Sequence, residues 1–145
     1  PKVMANRAAH DLQELGVRRA LVVHGLDGLD EISCCAATRV SELRDGRIVT
    51  RELLPELLLG TVYAPEELRG GDPEQNAEIL QSVLTGVNRG APRAAVLLNA
   101  GAAIYVAGVA STLEEGIALA GRSIDSGAAE RKLELLIEAS HGTGA

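Results

Sequence analysis

Asp30 and Glu31 are the side chains of this 145-residue chain best placed by type and spacing to do chemistry. They close the stretch His24-Gly25-Leu26-Asp27-Gly28-Leu29-Asp30-Glu31, which follows the apolar run Ala20-Leu21-Val22-Val23. Neighbouring side chains point to opposite faces of a strand and lie well apart around a helix. The two carboxylates can therefore serve one charge only where the backbone turns, and Gly25 and Gly28 permit a turn. A carboxylate pair on a loop just past a strand suits a hard cation such as Mg2+, which takes few protein oxygens and keeps its waters for a phosphate substrate. The alternative reading of the same pair is a helix start, because acids cap helices and favour their first turn.

The elements around this loop follow from periodicity. Val3, Met4, Ala8, Leu12 and Leu15 near helical spacing predict a helix over residues 2–15, with Gly16 as its C-cap. Residues 18–24 read as a buried strand, and a helix followed by a strand suggests part of an α/β sheet. After the acidic loop, 36–43 and 47–54 read as extended, joined by Asp45-Gly46 in a hairpin. The leucines 53, 54, 57, 58 and 59 are expected in a loop around Pro55, covering a core edge. Four helices are predicted next. They span 73–85, starting at an Asp72 cap; 92–108, apolar all round and so inside the domain; 112–124, with Thr112 as cap; and 127–139. The sequence shows no internal repeat and no interdomain linker. Residues 1–140 read as one domain and 141–145 as a flexible tail.

Other polar residues read more simply as structure. His24 ends a strand and serves packing or hydrogen bonding, while His10 and His141 lack partners at metal spacing and belong on the surface. Ser33 and Ser126 lack a nucleophile-elbow setting and read as caps. Asn99, amid apolar residues, is expected to satisfy buried backbone. Arg39 is expected to pair with an acid, and Asp27 to hold a turn. Cys34 and Cys35 are adjacent, which strains a mutual disulfide and fits no zinc pattern. Reduced thiols in a cytoplasmic protein are the expected state.

Composition bounds the function classes. The chain is 46% hydrophobic, so it buries a core, and its net charge of −6 without a long basic cluster argues against nucleic acid as the main partner. Phe and Trp are absent, which removes the usual platforms for base stacking. No apolar run reaches transmembrane length, and no signal-peptide pattern is read within these 145 residues.

The ordered series of short segments carries a family resemblance. Val22-Val23-His24-Gly25 is followed by Asp27-Gly28-Leu29-Asp30-Glu31-Ile32-Ser33, Thr38-Arg39-Val40 and Gly70-Gly71-Asp72 with Asn76-Ala77. Then come Leu97-Leu98-Asn99-Ala100, Tyr105-Val106-Ala107-Gly108, Glu115-Gly116 and Ile124-Asp125-Ser126-Gly127-Ala128. From about Met4 to Leu136 this resembles the C-terminal part of the anthranilate phosphoribosyltransferase family of tryptophan biosynthesis. The resemblance implies the C-terminal portion of a phosphoribosyltransferase and nucleoside-phosphorylase-like α/β domain, with a mixed sheet, a hairpin and several packed helices. It implies transfer of phosphoribosyl from phosphoribosyl diphosphate to anthranilate, with Asp30 and Glu31 holding Mg2+ and no catalytic nucleophile in this chain. It also implies a homo-oligomer when the enzyme is intact. The family's N-terminal helical domain and glycine-rich diphosphate loop have no counterpart here. Gly70-Gly71-Asp72-Pro73 reads as a helix start, not a phosphate cradle. The start at Pro1 without Met also fits a fragment, so the isolated chain is expected to be inactive and to need its missing N-terminal part. A non-catalytic folded module, or a related phosphoribosyltransferase-like or nucleoside-phosphorylase-like protein, is the alternative.

Overall fold

The computed structural model describes residues 2–142, and its organising element is a three-stranded sheet in the order β1-β2-β3. The strands are β1 (Arg19–Gly25), β2 (Thr38–Arg44) and β3 (Arg47–Leu53). Both pairings are antiparallel, with Val22 opposite Ser41 and Ser41 opposite Thr50. The α/β class holds, but the sheet formed by the described residues is antiparallel rather than mixed. The reason is local. A loop, not a helix, connects β1 to β2, and a tight turn connects β2 to β3; parallel neighbours need a long crossover. That turn is Asp45-Gly46, with φ of 51° and 73°, the left-handed pair that a two-residue hairpin requires.

Helices surround the sheet. Helix α1 (Lys2–Glu14) packs on β1 and β2 through Ala5 and Ala9, both buried one turn apart. The side chains of Val3 and Met4 lie outside the described residues, and Leu15, expected on the apolar face, is past the helix end and 80% exposed. The leucines after β3 form a short helix, α2 (Pro55–Leu59), with Pro55 at its first position. The expected loop reading failed there because Pro fits a helix start as readily as a break.

Helices α3 (Pro73–Leu84), α4 (Ala91–Val106), α5 (Leu113–Asp125) and α6 (Ala128–His141) lie within a few residues of the ranges predicted. Asp72 caps α3 by accepting from the Gln75 amide, and Thr112 caps α5 by accepting from Glu115. His141 ends α6, while Thr143–Ala145 of the expected tail lie outside the described residues.

Helix α4 is the central one. Its Ala91, Ala94, Leu98 and Ala102 form the main core with Ile32, Cys34, Val40, Leu53 and Leu113. Even-numbered residues of β2 face it, as Val40 shows; the opposite face, with buried Ser41 and Leu43, falls to α1. Arg93, buried near the start of α4, donates to Asp125 Oδ1 at the end of α5 at 2.8 Å. The two helices approach most closely where Gly101 meets Gly116 and Ile117. A Cβ on Gly101 would lie 2.7 Å from the Ile117 Cα, and one on Gly116 would strike the Gly101 carbonyl.

Backbone rather than a flexible side chain blocks that space, so Gly116→Ala must push the helices apart. It is expected to destabilise the fold by roughly 1–3 kcal/mol, read as a lower midpoint in denaturant titration. An unchanged midpoint would show that the helix pair tolerates the extra methyl.

Candidate functional site

The loop from Leu26 to Ala37 leaves β1 and enters β2, and it carries Asp27, Asp30 and Glu31. Its start closes on itself: the Gly25 amide donates to the Leu29 carbonyl at 2.8 Å and the Gly28 amide to the Gly25 carbonyl at 3.0 Å. Gly28 has a φ of 99°, which favours glycine, whereas Gly25 is tightly enclosed: a Cβ there would displace the Asp27 carboxylate and press on the Leu29 carbonyl at 3.2 Å. Asp27 holds the turn as expected. Its carboxylate accepts from the Leu29 amide at 3.4 Å and from the Ser33 hydroxyl at 2.6 Å.

The second half of the loop is fixed by side chains from elsewhere. Asn99 of α4 accepts from the Ile32 amide through Oδ1 at 2.9 Å and donates Nδ2 to the Ile32 carbonyl and the Ala95 carbonyl, each at 3.0 Å. The expectation that Asn99 satisfies buried backbone holds, and the backbone in question is the residue after Glu31. Thr38 Oγ1 accepts from the buried Ser33 amide at 2.9 Å. Ser33 Oγ accepts from the amides of Cys35 and Ala36 at 2.9 and 3.1 Å, a local cap without a helix behind it. The Tyr63 amide donates to the Cys34 carbonyl at 3.1 Å.

Asp30 and Glu31 sit between these two anchored halves. The chain bends at both residues, and both are exposed. No helix begins here; irregular backbone runs from Ile32 to β2. The helix-start reading of the pair is therefore removed. Among the described residues, no ion pair engages either carboxylate. Nor does any group of three His, Cys, Asp or Glu side chains cluster there as a closed metal cage. Two exposed carboxylates on a pinned bend are hard-oxygen donors of the kind that suit a cation leaving most of its coordination to water and phosphate.

The other residues fall out as structure. Arg39 donates to Glu52, its cross-strand partner, at 2.6 Å. His10 and His141 are exposed. Ser126 ends α5 rather than capping the start of the next helix. Burial, with Cys35 beside it, pushes the Cys34 thiol up to about 12, so it stays a protonated thiol rather than a thiolate at neutral pH.

One polar network escaped the sequence reading. Tyr105 of α4 donates its hydroxyl to Glu42 and accepts from Arg44 Nη1 at 3.1 Å, while Arg19 Nη2 donates to the Tyr105 carbonyl at 2.7 Å. The Arg19 and Arg44 guanidiniums lie 5.3 and 5.9 Å from the ring centroid. The signal available in sequence was a lone Tyr in a helix of small residues, with nothing to name its partners 60 or more positions away. This network ties α4 to the end of the sheet remote from the acidic loop.

Comparison with known proteins places the chain. The family described as "Glycosyl transferase family, a/b domain" matches residues 1–130. Anthranilate phosphoribosyltransferase of Desulfosudis oleivorans is 52% identical over 136 residues, 94% of this chain and 40% of that protein. That of Syntrophobacter fumaroxidans is 54% identical over 129 residues, 89% of this chain and 38% of that protein. Among solved structures, the crystal structure of the Thermus thermophilus enzyme superposes with a TM-score of 0.76 at 42% identity, over 87% of this chain and 36% of that one. The Saccharomyces cerevisiae enzyme in complex with PRPP and Mg gives 0.70 at 29% identity, over 80% of this chain and 33% of that one. The chain thus spans about 40% of the length of the curated relatives it matches.

Asn99 carries a testable consequence for the loop. Asn99→Ala removes both bonds to Ile32 and leaves its buried amide unpaired, which is expected to cost about 1–3 kcal/mol. Hydrogen exchange at Ile32 should quicken well beyond the change at β2; equal protection in both proteins would show that Thr38 and Ser33 hold the loop unaided.

Proposed function

The chain belongs to the glycosyl transferase family, a/b domain, and on that premise we propose that it is the metal-loop portion of an anthranilate phosphoribosyltransferase. Residues 1–140 would be the C-terminal part of that enzyme's α/β domain, in a cytoplasmic protein that is a homo-oligomer when intact. The observation that carries the reading is the pair Asp30 and Glu31, exposed and without an ion pair among the described residues, on a bend pinned by Asn99 and Thr38.

In the proposed reaction the anthranilate amine attacks the ribose carbon of phosphoribosyl diphosphate. A C–N bond forms as the C–O bond to diphosphate breaks. Negative charge grows on the leaving group, and bound Mg2+ would offset it. Asp30 and Glu31 would hold that ion, directly or through its waters. Asn99, Ser33 and Asp27 act earlier, by fixing the backbone that presents the two carboxylates. The nucleophile belongs to the substrate, so no Ser or Cys of this chain is needed.

Asp30→Asn with Glu31→Gln in the full-length enzyme is expected to lower turnover by roughly 10²–10³-fold while circular dichroism stays unchanged. Near-normal turnover at low Mg2+ would end the metal reading.

A second reading applies to the chain alone: a folded module that is inactive until a complementary piece of the same protein docks. Its support is β1, which pairs along one edge only among the described residues and leaves Arg19–His24 half-buried. A groove of about 540 Å³ runs beside it, lined by Leu21, Val23, Ala102 and Val106 among others. The isolated chain, supplied with phosphoribosyl diphosphate, Mg2+ and anthranilate, is expected to give no measurable transfer. Turnover that Asp30→Asn abolishes would show that these residues suffice.

A further inference from the structure

Three residues past Glu31, the adjacent thiols of Cys34 and Cys35 face one another, with Sγ atoms 3.9 Å apart. Their backbones are held in place. The Cys35 amide donates to Ser33 Oγ, and the Cys34 carbonyl accepts from the Tyr63 amide. Cys34 is fully buried, its Sγ 3.8 Å from the Ala91 carbonyl, and Cys35 is half-buried beside it.

This spacing selects among thiol chemistries. A direct disulfide needs sulfurs about 2.05 Å apart on Cα atoms roughly 4.4–6.8 Å apart. Adjacent residues fix the Cα atoms at about 3.8 Å, so closure is opposed from both ends. Zinc takes four ligands, and among the described residues no group of three His, Cys, Asp or Glu is available. A soft trivalent atom bound to both sulfurs at about 2.3 Å, with the angle of roughly 100° of a pyramidal centre, needs them about 3.5 Å apart, which a small side-chain rotation reaches from the observed 3.9 Å. The ligand that suits the pair is therefore soft, takes only two thiols, and brings its remaining substituent with it.

We propose that Cys34 and Cys35 form a dithiol site for a monosubstituted trivalent arsenical. The ligand enters as R–As(OH)2. The half-buried Cys35 thiol displaces one hydroxide, forming an As–S bond and releasing one water with its proton. Cys34 then displaces the second hydroxide in the same way, now intramolecularly. Two As–S bonds replace two As–O bonds, two waters leave, and arsenic stays trivalent, so no oxidant or reductant takes part.

The test treats the chain, and the full-length protein, with one equivalent of phenylarsine oxide in the presence of reduced glutathione. Intact mass is expected to rise by one phenylarsenic less two hydrogens. Both cysteines should escape iodoacetamide added after denaturation, and 2,3-dimercaptopropanol should restore both. Cys35→Ser and Cys34→Ala are each expected to weaken the adduct at least 100-fold. An adduct that leaves one thiol open to alkylation, a native chain that takes none, or a Cys35→Ser protein that binds equally well would each overturn the site. The wild-type thiol count stands even where a variant fails to fold. It is also independent of whether the chain transfers phosphoribosyl groups.

Discussion

The contact on which the rest of this structure depends is the pair of hydrogen bonds between the Asn99 amide and the backbone of Ile32. Ile32 is buried and belongs to the core, so its amide and carbonyl must be paired or cost free energy. Neither strand supplies the partners, because the loop has left β1 and has not reached β2. A helix that is otherwise apolar supplies them instead. The same bonds that satisfy Ile32 set the position of Asp30 and Glu31 immediately before it. Core formation therefore also places the loop: Ile32 is drawn into the core, and Asp30 and Glu31 immediately before it stay exposed.

Helix α4 is held at two places by different chemistry. Near its middle, Asn99 takes the acidic loop. At its end, Tyr105 takes Glu42 and Arg44 of β2 and its carbonyl takes Arg19 of β1. Between them, Leu98 and Ala102 pack on Val40, and Gly101 admits α5 to backbone contact. With no Phe or Trp in the chain, the core is assembled from small and aliphatic side chains, and close backbone approach replaces ring packing as the means of filling space. That is why glycine at 101 and 116 is a matter of space rather than of backbone freedom.

The acidic loop shares an end of the sheet with no deep enclosure of its own. Its carboxylates face solvent; one cavity lies at the hairpin end, and the groove beside β1 reaches the loop only at Ile32 and Asn99. Two exposed acids on a fixed bend can hold a hydrated cation but supply no walls for a substrate. The proposed role as one part of a larger active site draws support from that asymmetry between a well-fixed acidic loop and an open surround.

Patterning along the chain was enough for the elements. Asp45-Gly46 specified the hairpin because both positions take positive φ, and Asp72-Pro73 and Thr112 marked helix starts because their side chains reach the first free amides. Asn99 was legible as a backbone partner because a lone amide in an apolar helix needs one. The acidic pair was legible as a candidate site, but not distinguishable from a helix cap. Tertiary structure decided that, since whether a helix follows Glu31 depends on Asn99 and Thr38 capturing the backbone from 67 and 5 residues away. The antiparallel sheet, the partners of Tyr105 and the facing thiols of Cys34 and Cys35 were decided there too. Each is a matter of which distant or neighbouring groups meet in space, and periodicity records only which face a residue takes.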